Sequence, residues 1–287
     1  MWLILSVLSA FVQATVDAFT KKALNGADFY IVSWLRNLLA VPFLLAALWF
    51  VPIPKLDPTF YWACGLAMPL EVIATLMYIR ALEISPMSLT MPFLALTPLY
   101  LLIFSYVLLG EAPSPAGLAG VLLLCAGAYL LNAHTLREGG IFAPFKAVYR
   151  EKGSMLMMGV ALIFAVTSDL SKLAIMHSSA MFFGVFYVAV FSFVFTPVAL
   201  YFTKKPVSVP RSDYGLYIFI GATLALLAIL QPLALAISHV SYMIAVKRLS
   251  LLFSIGYGYF MFGESHIKER LLGGAVMLLG LIVMTLM

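Results

Sequence analysis

The chain has 287 residues, of which 64% are hydrophobic and 10% are charged, and its formal net charge is +5. Its mean hydropathy is +1.07. Soluble domains contain about 45–50% apolar and about 25% charged residues, so this composition excludes an ordinary water-soluble globule. It also excludes an intrinsically disordered chain, which needs few apolar residues and a large net charge. The sequence therefore predicts a protein that is embedded in a lipid bilayer.

Ten apolar stretches follow one another along the chain. A helix needs about 20 residues to cross the hydrocarbon core, and each stretch is close to that length. The strands of a membrane barrel would alternate apolar and polar residues, whereas these stretches are continuously apolar. We predict an all-α membrane protein with ten transmembrane helices, at residues 2–21, 29–51, 59–82, 87–109, 115–133, 154–175, 180–202, 214–237, 240–262 and 269–287.

The first stretch is predicted to be a retained helix. The ten residues that begin it carry no positive charge, whereas a secretory signal opens with a basic segment. The two cysteines, Cys64 and Cys125, fall in separate stretches and are interpreted as small core residues. Two thiols and scattered histidines form no metal-ligand pattern, so we expect no cofactor and no metal.

The basic residues near the ends of the stretches are distributed unevenly. Only Lys55 and Lys172 are assigned to the side of the termini. The positive-inside rule predicts that the richer side is cytoplasmic, so that both termini of a multi-pass protein of the plasma (inner) membrane face outward. The alternative is that these bases bind lipid head groups without setting the orientation. The twelve bases on the other side are Lys21, Lys22, Arg80, Arg137, Lys146, Arg150, Lys152, Lys204, Lys205, Arg211, Lys268 and Arg270.

An internal repeat organises the chain. At an offset of 153 residues, the segment 81–85 aligns with 234–238, and Gly110-Glu111 aligns with Gly263-Glu264. Two further glycine pairs match at the same offset, at positions 120 and 273 and at positions 127 and 280. Five helices per unit is an odd number, so the second unit enters the membrane from the opposite face.

This duplication predicts two inverted five-helix repeats. The first covers residues 1–133, a polar loop follows at 134–153, and the second covers residues 154–287. Inverted repeats create a site near the membrane midplane that opens alternately to either side. The sequence therefore favours a transporter.

The pattern resembles a known family. In the first half it consists of Arg36, Ala81-Leu82 and Leu109-Gly110-Glu111. In the second half it consists of the corresponding Ala234-Leu235 and Phe262-Gly263-Glu264, together with Lys247-Arg248-Leu249-Ser250. These motifs resemble the drug/metabolite transporter (DMT) superfamily, EamA type. The resemblance implies a secondary carrier that exports or exchanges small metabolites. Better-known relatives have cytoplasmic termini, contrary to the orientation that the charge count favours here.

Charged residues inside the stretches are the first candidates for a substrate site, since a charge at a helix centre costs about 2.5–3.5 kcal/mol on insertion scales. Glu71, two residues after Pro69, either binds a cation or proton or locks helices together. Lys247 and Arg248 have uncharged repeat counterparts and are expected to line a cavity, unless they pair structurally or reach the head groups. Arg36 either contacts an anionic group or pairs with Asp17.

Polar residues at similar depth extend this set. Tyr78 and Gln231 occupy equivalent repeat positions, and Tyr242 is a weaker candidate, as are Gln13 and Tyr187. The alternative for all of them is an interhelical hydrogen bond without a role in binding.

Asp17 with Lys21, and Asp169 with Lys172, are expected either to close two gates in alternation or to form ion pairs at helix ends. Glu111 and Glu264 are each expected to cap the helix that follows them.

The leading hypothesis is a secondary active transporter of a small polar or amphipathic metabolite, with amino acids as the leading class and a proton or counter-substrate as the coupling partner. The alternatives are efflux of cationic drugs or quaternary amines and, in another class, a membrane-embedded transferase acting on a lipid-linked substrate. The sequence contains no nucleophile elbow, His-Glu zinc pattern or phosphate loop, so an enzyme is not expected. The expected partners are the substrate and membrane lipids, without nucleic acid; the oligomeric state is left open.

Overall fold

The protein is an all-helical, multi-pass membrane protein. The computed structural model describes residues 1–24, 27–49, 51–84, 91–130, 152–203, 213–262 and 267–285, and these contain helices and no strand. Most of the predicted loop 134–153, the Gly263-Glu264 motif and several of the loop bases lie outside the described residues. Within these ranges, six helices are long and apolar enough to cross a membrane, and three shorter apolar helices accompany them.

The helices coincide with the ten predicted stretches, except that two of the stretches are broken. The described part of the fourth stretch consists of a 3₁₀ helix at Met91–Leu96 followed by α4, and the ninth stretch consists of the short α9 followed by α10. The expectation of ten continuous helices is wrong at these two places. The α-helices are α1 (Trp2–Ala23), α2 (Phe29–Leu48), α3 (Pro58–Ile84), α4 (Thr97–Leu109), α5 (Pro115–Leu130), α6 (Lys152–Met176), α7 (Ala180–Phe202), α8 (Tyr214–Ala236), α9 (Val240–Lys247), α10 (Ser250–Phe262) and α11 (Ile267–Thr285).

The two breaks have different local causes. Before α4, the Thr97 hydroxyl donates to the carbonyl of Leu94 at 2.8 Å, and Pro98 cannot donate the backbone bond that a continuous helix needs. Between α9 and α10 there is neither proline nor glycine. There the amide of Leu249 donates to the carbonyl of Val246, three residues earlier, so the chain tightens into a turn. Because irregular backbone in a membrane is tolerated only inside protein or beside a cavity, both breaks point to the interior.

Helices α5 and α11 pack most closely through glycines. A side chain at Gly127 would lie 2.7 Å from the carbonyl oxygen of Gly273, and one at Gly120 would lie 2.9 Å from that of Gly280. These glycines let the two backbones approach without intervening side chains, as is common where membrane helices pair. The remaining helices pack mainly as α1 on α8, α3 on α6, and α2 on α7 and α8.

Candidate functional site

Five charged side chains from four helical segments converge in the interior. Asp17 on α1 interacts electrostatically with Arg36 on α2, and with Lys247 and Arg248 at the end of α9. Glu71 on α3 interacts in the same way with Lys247 and Arg36. We call these five residues the central cluster. Every substrate-site candidate that carries a charge belongs to it, together with Asp17, which the sequence suggested as a gate residue.

The charges of the central cluster are held apart. Among the described residues, none of the five lies within 4.0 Å of an opposite charge as an ion pair would. Asp17 is exposed, and the other four are partly exposed, although four of them lie on apolar helices and Arg248 directly follows one. Charges that are buried without partners would be strongly unfavourable, so this arrangement indicates a water-accessible space between the helices.

Neutral polar groups hold two of the bases in place. The Lys247 ammonium donates to the Gln231 side-chain oxygen at 2.6 Å, and Arg248 donates through Nη2 to the Thr97 hydroxyl at 2.9 Å. The Arg248–Thr97 bond therefore joins the broken ninth stretch to the broken fourth. Gln231 was predicted for the site. Thr97 was missed, although a threonine directly before a proline in an apolar stretch was a usable signal.

The acids of the cluster also have polar neighbours. Gln13 donates to Asp17 at 3.0 Å, one turn earlier on α1. The Thr167 hydroxyl on α6 lies within reach of the Glu71 carboxylate. Gln13 was a weaker prediction.

Two tyrosines lie beside the central cluster. Tyr78, which was predicted for the site, lies near Asp17, Arg36 and Arg248. Tyr187 lies near Glu71, and its buried hydroxyl has no hydrogen-bond partner among the described residues. An unpartnered buried hydroxyl next to a carboxylate is a candidate contact for a bound molecule.

Tyr242 lies apart from the central cluster. Its hydroxyl accepts a hydrogen bond from the backbone of Ser114 at 2.8 Å, and its ring occupies the space that a side chain at Gly117 would fill. The ring borders an open depression of about 390 Å³ at the helix ends, which His239 also lines. The structure thus places Tyr242 in helix packing and not with the other predicted binding residues.

At that end of the bundle Lys172 makes a different contact from the predicted one. Its ammonium donates to the carbonyls of Leu235 and Ser238 at the end of α8, and it lies 3.8 Å from Glu111. Asp169 instead accepts a hydrogen bond from Ser105 at 2.6 Å. The predicted ion pair between Asp169 and Lys172 is therefore absent: Asp169 binds a side chain on α4, and Lys172 binds the end of α8.

Glu111 ties the two halves of the chain together. Gly110 ends α4 with a φ of +69°, a left-handed conformation that favours glycine, and this turn directs the chain toward α9. The Glu111 carboxylate accepts from the amide of Val240, the first residue of α9, at 2.7 Å. The expectation that Glu111 caps the helix after it is wrong, because it caps α9 of the other half. We call the membrane face with Glu111 and Lys172 the Glu111 side.

Asp57 and His177 form a second link on the Glu111 side, which the sequence did not suggest. The carboxylate of Asp57 accepts from the amide of Phe60 at 3.0 Å and contacts Nδ1 of His177 at 2.6 Å. These bonds favour the ionised carboxylate, so they hold the pKa of Asp57 below its usual range.

The other predicted gate pair is also not joined. Asp17 takes its hydrogen bond from Gln13 and no ion pair connects it to Lys21, which lies exposed in the last turn of α1. Asp169 of the other predicted pair is 1% exposed. The two carboxylates thus differ in how much of their surface is accessible. Within the described parts of the chain, no three His, Cys, Asp or Glu side chains are grouped as a metal site requires.

Comparison with known proteins finds a family model that matches the first part of the chain. Residues 1–133 match the model of the EamA-like transporter family. One solved crystal structure, described only as that of a protein, matches with a TM-score of 0.77 and 18% identity over 98% of both chains. At that identity the likeness shows the fold alone. No curated protein matches the sequence significantly.

Proposed function

We propose that this chain, whose residues 1–133 match the EamA-like transporter family, is an EamA-type member of the drug/metabolite transporter superfamily and a secondary active transporter that exports or exchanges a small polar or amphipathic metabolite by alternating access. Amino acids are the leading substrate class. The observation that carries this proposal is the central cluster, in which five charges face one another inside the membrane without direct ion pairs. Polar groups at membrane depth mark substrate or ion pathways.

The proposal includes two inverted five-helix repeats, residues 1–133 and 154–287, joined by the loop 134–153. The breaks support it, because α4 begins at Thr97 and α10 begins at Ser250, which differ by the repeat offset (250 − 97 = 153). The packing of α1 on α8 and of α3 on α6 also supports it, since exchanging the repeats converts one pair into the other. Broken helices at matching positions commonly border the binding site of such transporters.

Alternating access requires one side to be closed, and the proposal assigns that state to the Glu111 side. Buried Asp169 and Lys172 lie on this side, bonded to other helices, whereas their counterparts Asp17 and Lys21 are exposed. We propose that these four residues close the two sides in turn. The charge bias supports a plasma (inner) membrane orientation in which the Glu111 side and both termini face outward.

Counterflow in proteoliposomes tests the function. Vesicles that contain the full-length protein and unlabelled amino acid should accumulate the labelled amino acid, while empty vesicles should not. Arg248→Gln should abolish most of the counterflow, because it removes the cation that Thr97 positions at the break. Arg80→Gln is the matched control, since Arg80 is exposed near the end of α3.

The result that would overturn amino-acid transport is counterflow of quaternary amines without counterflow of any amino acid. Turnover of a lipid-linked substrate in the absence of any counterflow would overturn transport itself. A pH gradient across the same vesicles separates the two forms of coupling: it should drive net uptake when a proton is the partner and should not when a counter-substrate is required.

A further inference from the structure

The charges of the central cluster do not balance. Arg36, Lys247 and Arg248 contribute three positive charges, and Asp17 and Glu71 contribute two negative charges, which leaves a formal sum of +1 (3 − 2 = +1). These five are the charged residues that interact electrostatically with one another across the described helices. A net charge inside the membrane is unfavourable, so the site favours a molecule that carries the opposite charge.

Both arginines of the central cluster retain an unused donor. The Nε atoms of Arg36 and Arg248 are buried, and neither has a hydrogen-bond partner among the described residues. Buried donors are normally satisfied, so an unsatisfied one at a polar site needs a partner that comes from elsewhere. A carboxylate or phosphate fits the edge of a guanidinium through two parallel hydrogen bonds. Lys247, by contrast, already donates to Gln231.

We propose that the substrate is an amino acid with a net charge of −1, which carries two anionic groups and one ammonium. One anionic group binds the edge of Arg248 at the break, the other binds Arg36, and the ammonium lies between Asp17 and Glu71. This assignment rests on the proposed amino-acid transport and narrows it to acidic amino acids.

The charge sum discriminates between this substrate and the alternatives. A monoanion brings the formal charge of the occupied site to zero. A neutral zwitterion leaves it at +1, and a quaternary amine raises it to +2. Both alternatives also leave at least one of the two arginine Nε donors without an anionic group to bind.

The experiment compares glutamate with glutamine, which have nearly the same size and differ by one charge. In counterflow with the wild-type protein, we expect glutamate to be exchanged at least about tenfold more efficiently than glutamine, because hydrogen bonds to charged groups are the strong ones. This comparison needs no variant and therefore does not depend on how a substitution affects folding.

Arg36→Gln provides the second measurement. It removes one positive charge, so the site and a zwitterion together become neutral. We expect the ratio of glutamate to glutamine transport to fall about tenfold or more, whereas a variant that merely folds less well would lower both rates equally. Arg36→Lys should retain part of the preference, and Arg80→Gln should leave the ratio unchanged.

The outcomes separate the two proposals. Equal exchange of glutamate and glutamine by the wild-type protein, or an unchanged ratio in a folded Arg36→Gln variant, overturns the acidic substrate while amino-acid transport stands. Absence of counterflow for glutamate, glutamine and every other amino acid overturns the proposed function together with its substrate.

Discussion

The close contact between α5 and α11 at their glycines predicts that Gly127→Ala destabilises the protein relative to Gly65→Ala. Gly127→Ala would place a methyl group 2.6 Å from the backbone nitrogen of Met277 and 2.7 Å from the carbonyl oxygen of Gly273. Ordinary van der Waals contact begins at 3.4 Å, so one helix must move by about 0.8 Å (3.4 − 2.6). The obstacle is backbone, which cannot rotate away as a flexible side chain can.

The magnitude follows from two opposing effects. Overpacking of this kind costs about 1–3 kcal/mol. Replacing glycine by alanine inside a helix stabilises the folded state by about 0.5–1 kcal/mol, because it lowers the conformational entropy of the unfolded chain. Gly65→Ala isolates the second effect, since Gly65 lies on α3 and an added methyl group would meet nothing within 4 Å. The difference between the two variants should therefore be about 1–3 kcal/mol, with Gly127→Ala the less stable.

The assay is thermal unfolding of the purified protein in detergent, followed by the loss of the monodisperse peak in size-exclusion chromatography. At about 2–4 °C per kcal/mol, Gly127→Ala should melt roughly 2–12 °C below Gly65→Ala. Equal melting temperatures for the two variants would refute the close backbone crossing. They would also remove the packing reason for the matched glycines.

Two further predictions concern the Glu111 side. Lys172→Met removes the ammonium that binds the carbonyls at the end of α8, so a cysteine placed at buried Ser241 should react several times faster with a membrane-impermeant thiol reagent. Lys152→Met is the control, because Lys152 is exposed. An unchanged reaction rate in the Lys172→Met variant argues against a closure at Lys172. Asp57→Asn removes an ionised carboxylate whose pKa is lowered in the folded protein. Such a carboxylate stabilises the fold when the pH is above 3.8, the ordinary pKa of the group, and this stabilisation is lost as the pH falls through the lowered pKa. The variant should therefore melt below the wild type at pH 7, and a difference that persists well below pH 3.8 would contradict the role of the Asp57–His177 contact.

Much of the site could be predicted from residue type and depth. Arg36, Glu71, Lys247 and Arg248 are charges in apolar stretches, and the cost of burying them predicts that they face the interior together. Tyr78 and Gln231 were found through the repeat, and the structure places both beside these charges. Tyr242 was a weaker candidate, chosen for its polarity and depth alone, and it packs elsewhere, because depth along a helix does not determine which face a residue occupies.

The long-range partners could not be predicted. Asp169 and Lys172 are one turn apart, and helical spacing alone favoured a pair between them. Their actual partners are distant in the sequence: Ser105 on α4 binds the acid, and the carbonyls at the end of α8, with Glu111 just after α4, lie around the base. Glu111 is 129 residues from the backbone amide that it caps, and no local pattern encodes that distance.

The sequence by itself determined that this protein is an all-helical membrane protein, because the apolar content and the lengths of the stretches depend only on residue types. It also revealed the matched motifs of the two halves. Only the tertiary structure decided where the fourth and ninth stretches break, that Arg248 reaches Thr97 across those breaks, and that Asp17 is exposed while Asp169 is buried. The physical reason is that hydrophobicity acts on each helix separately, whereas a hydrogen bond or an electrostatic contact requires two helices to be placed side by side.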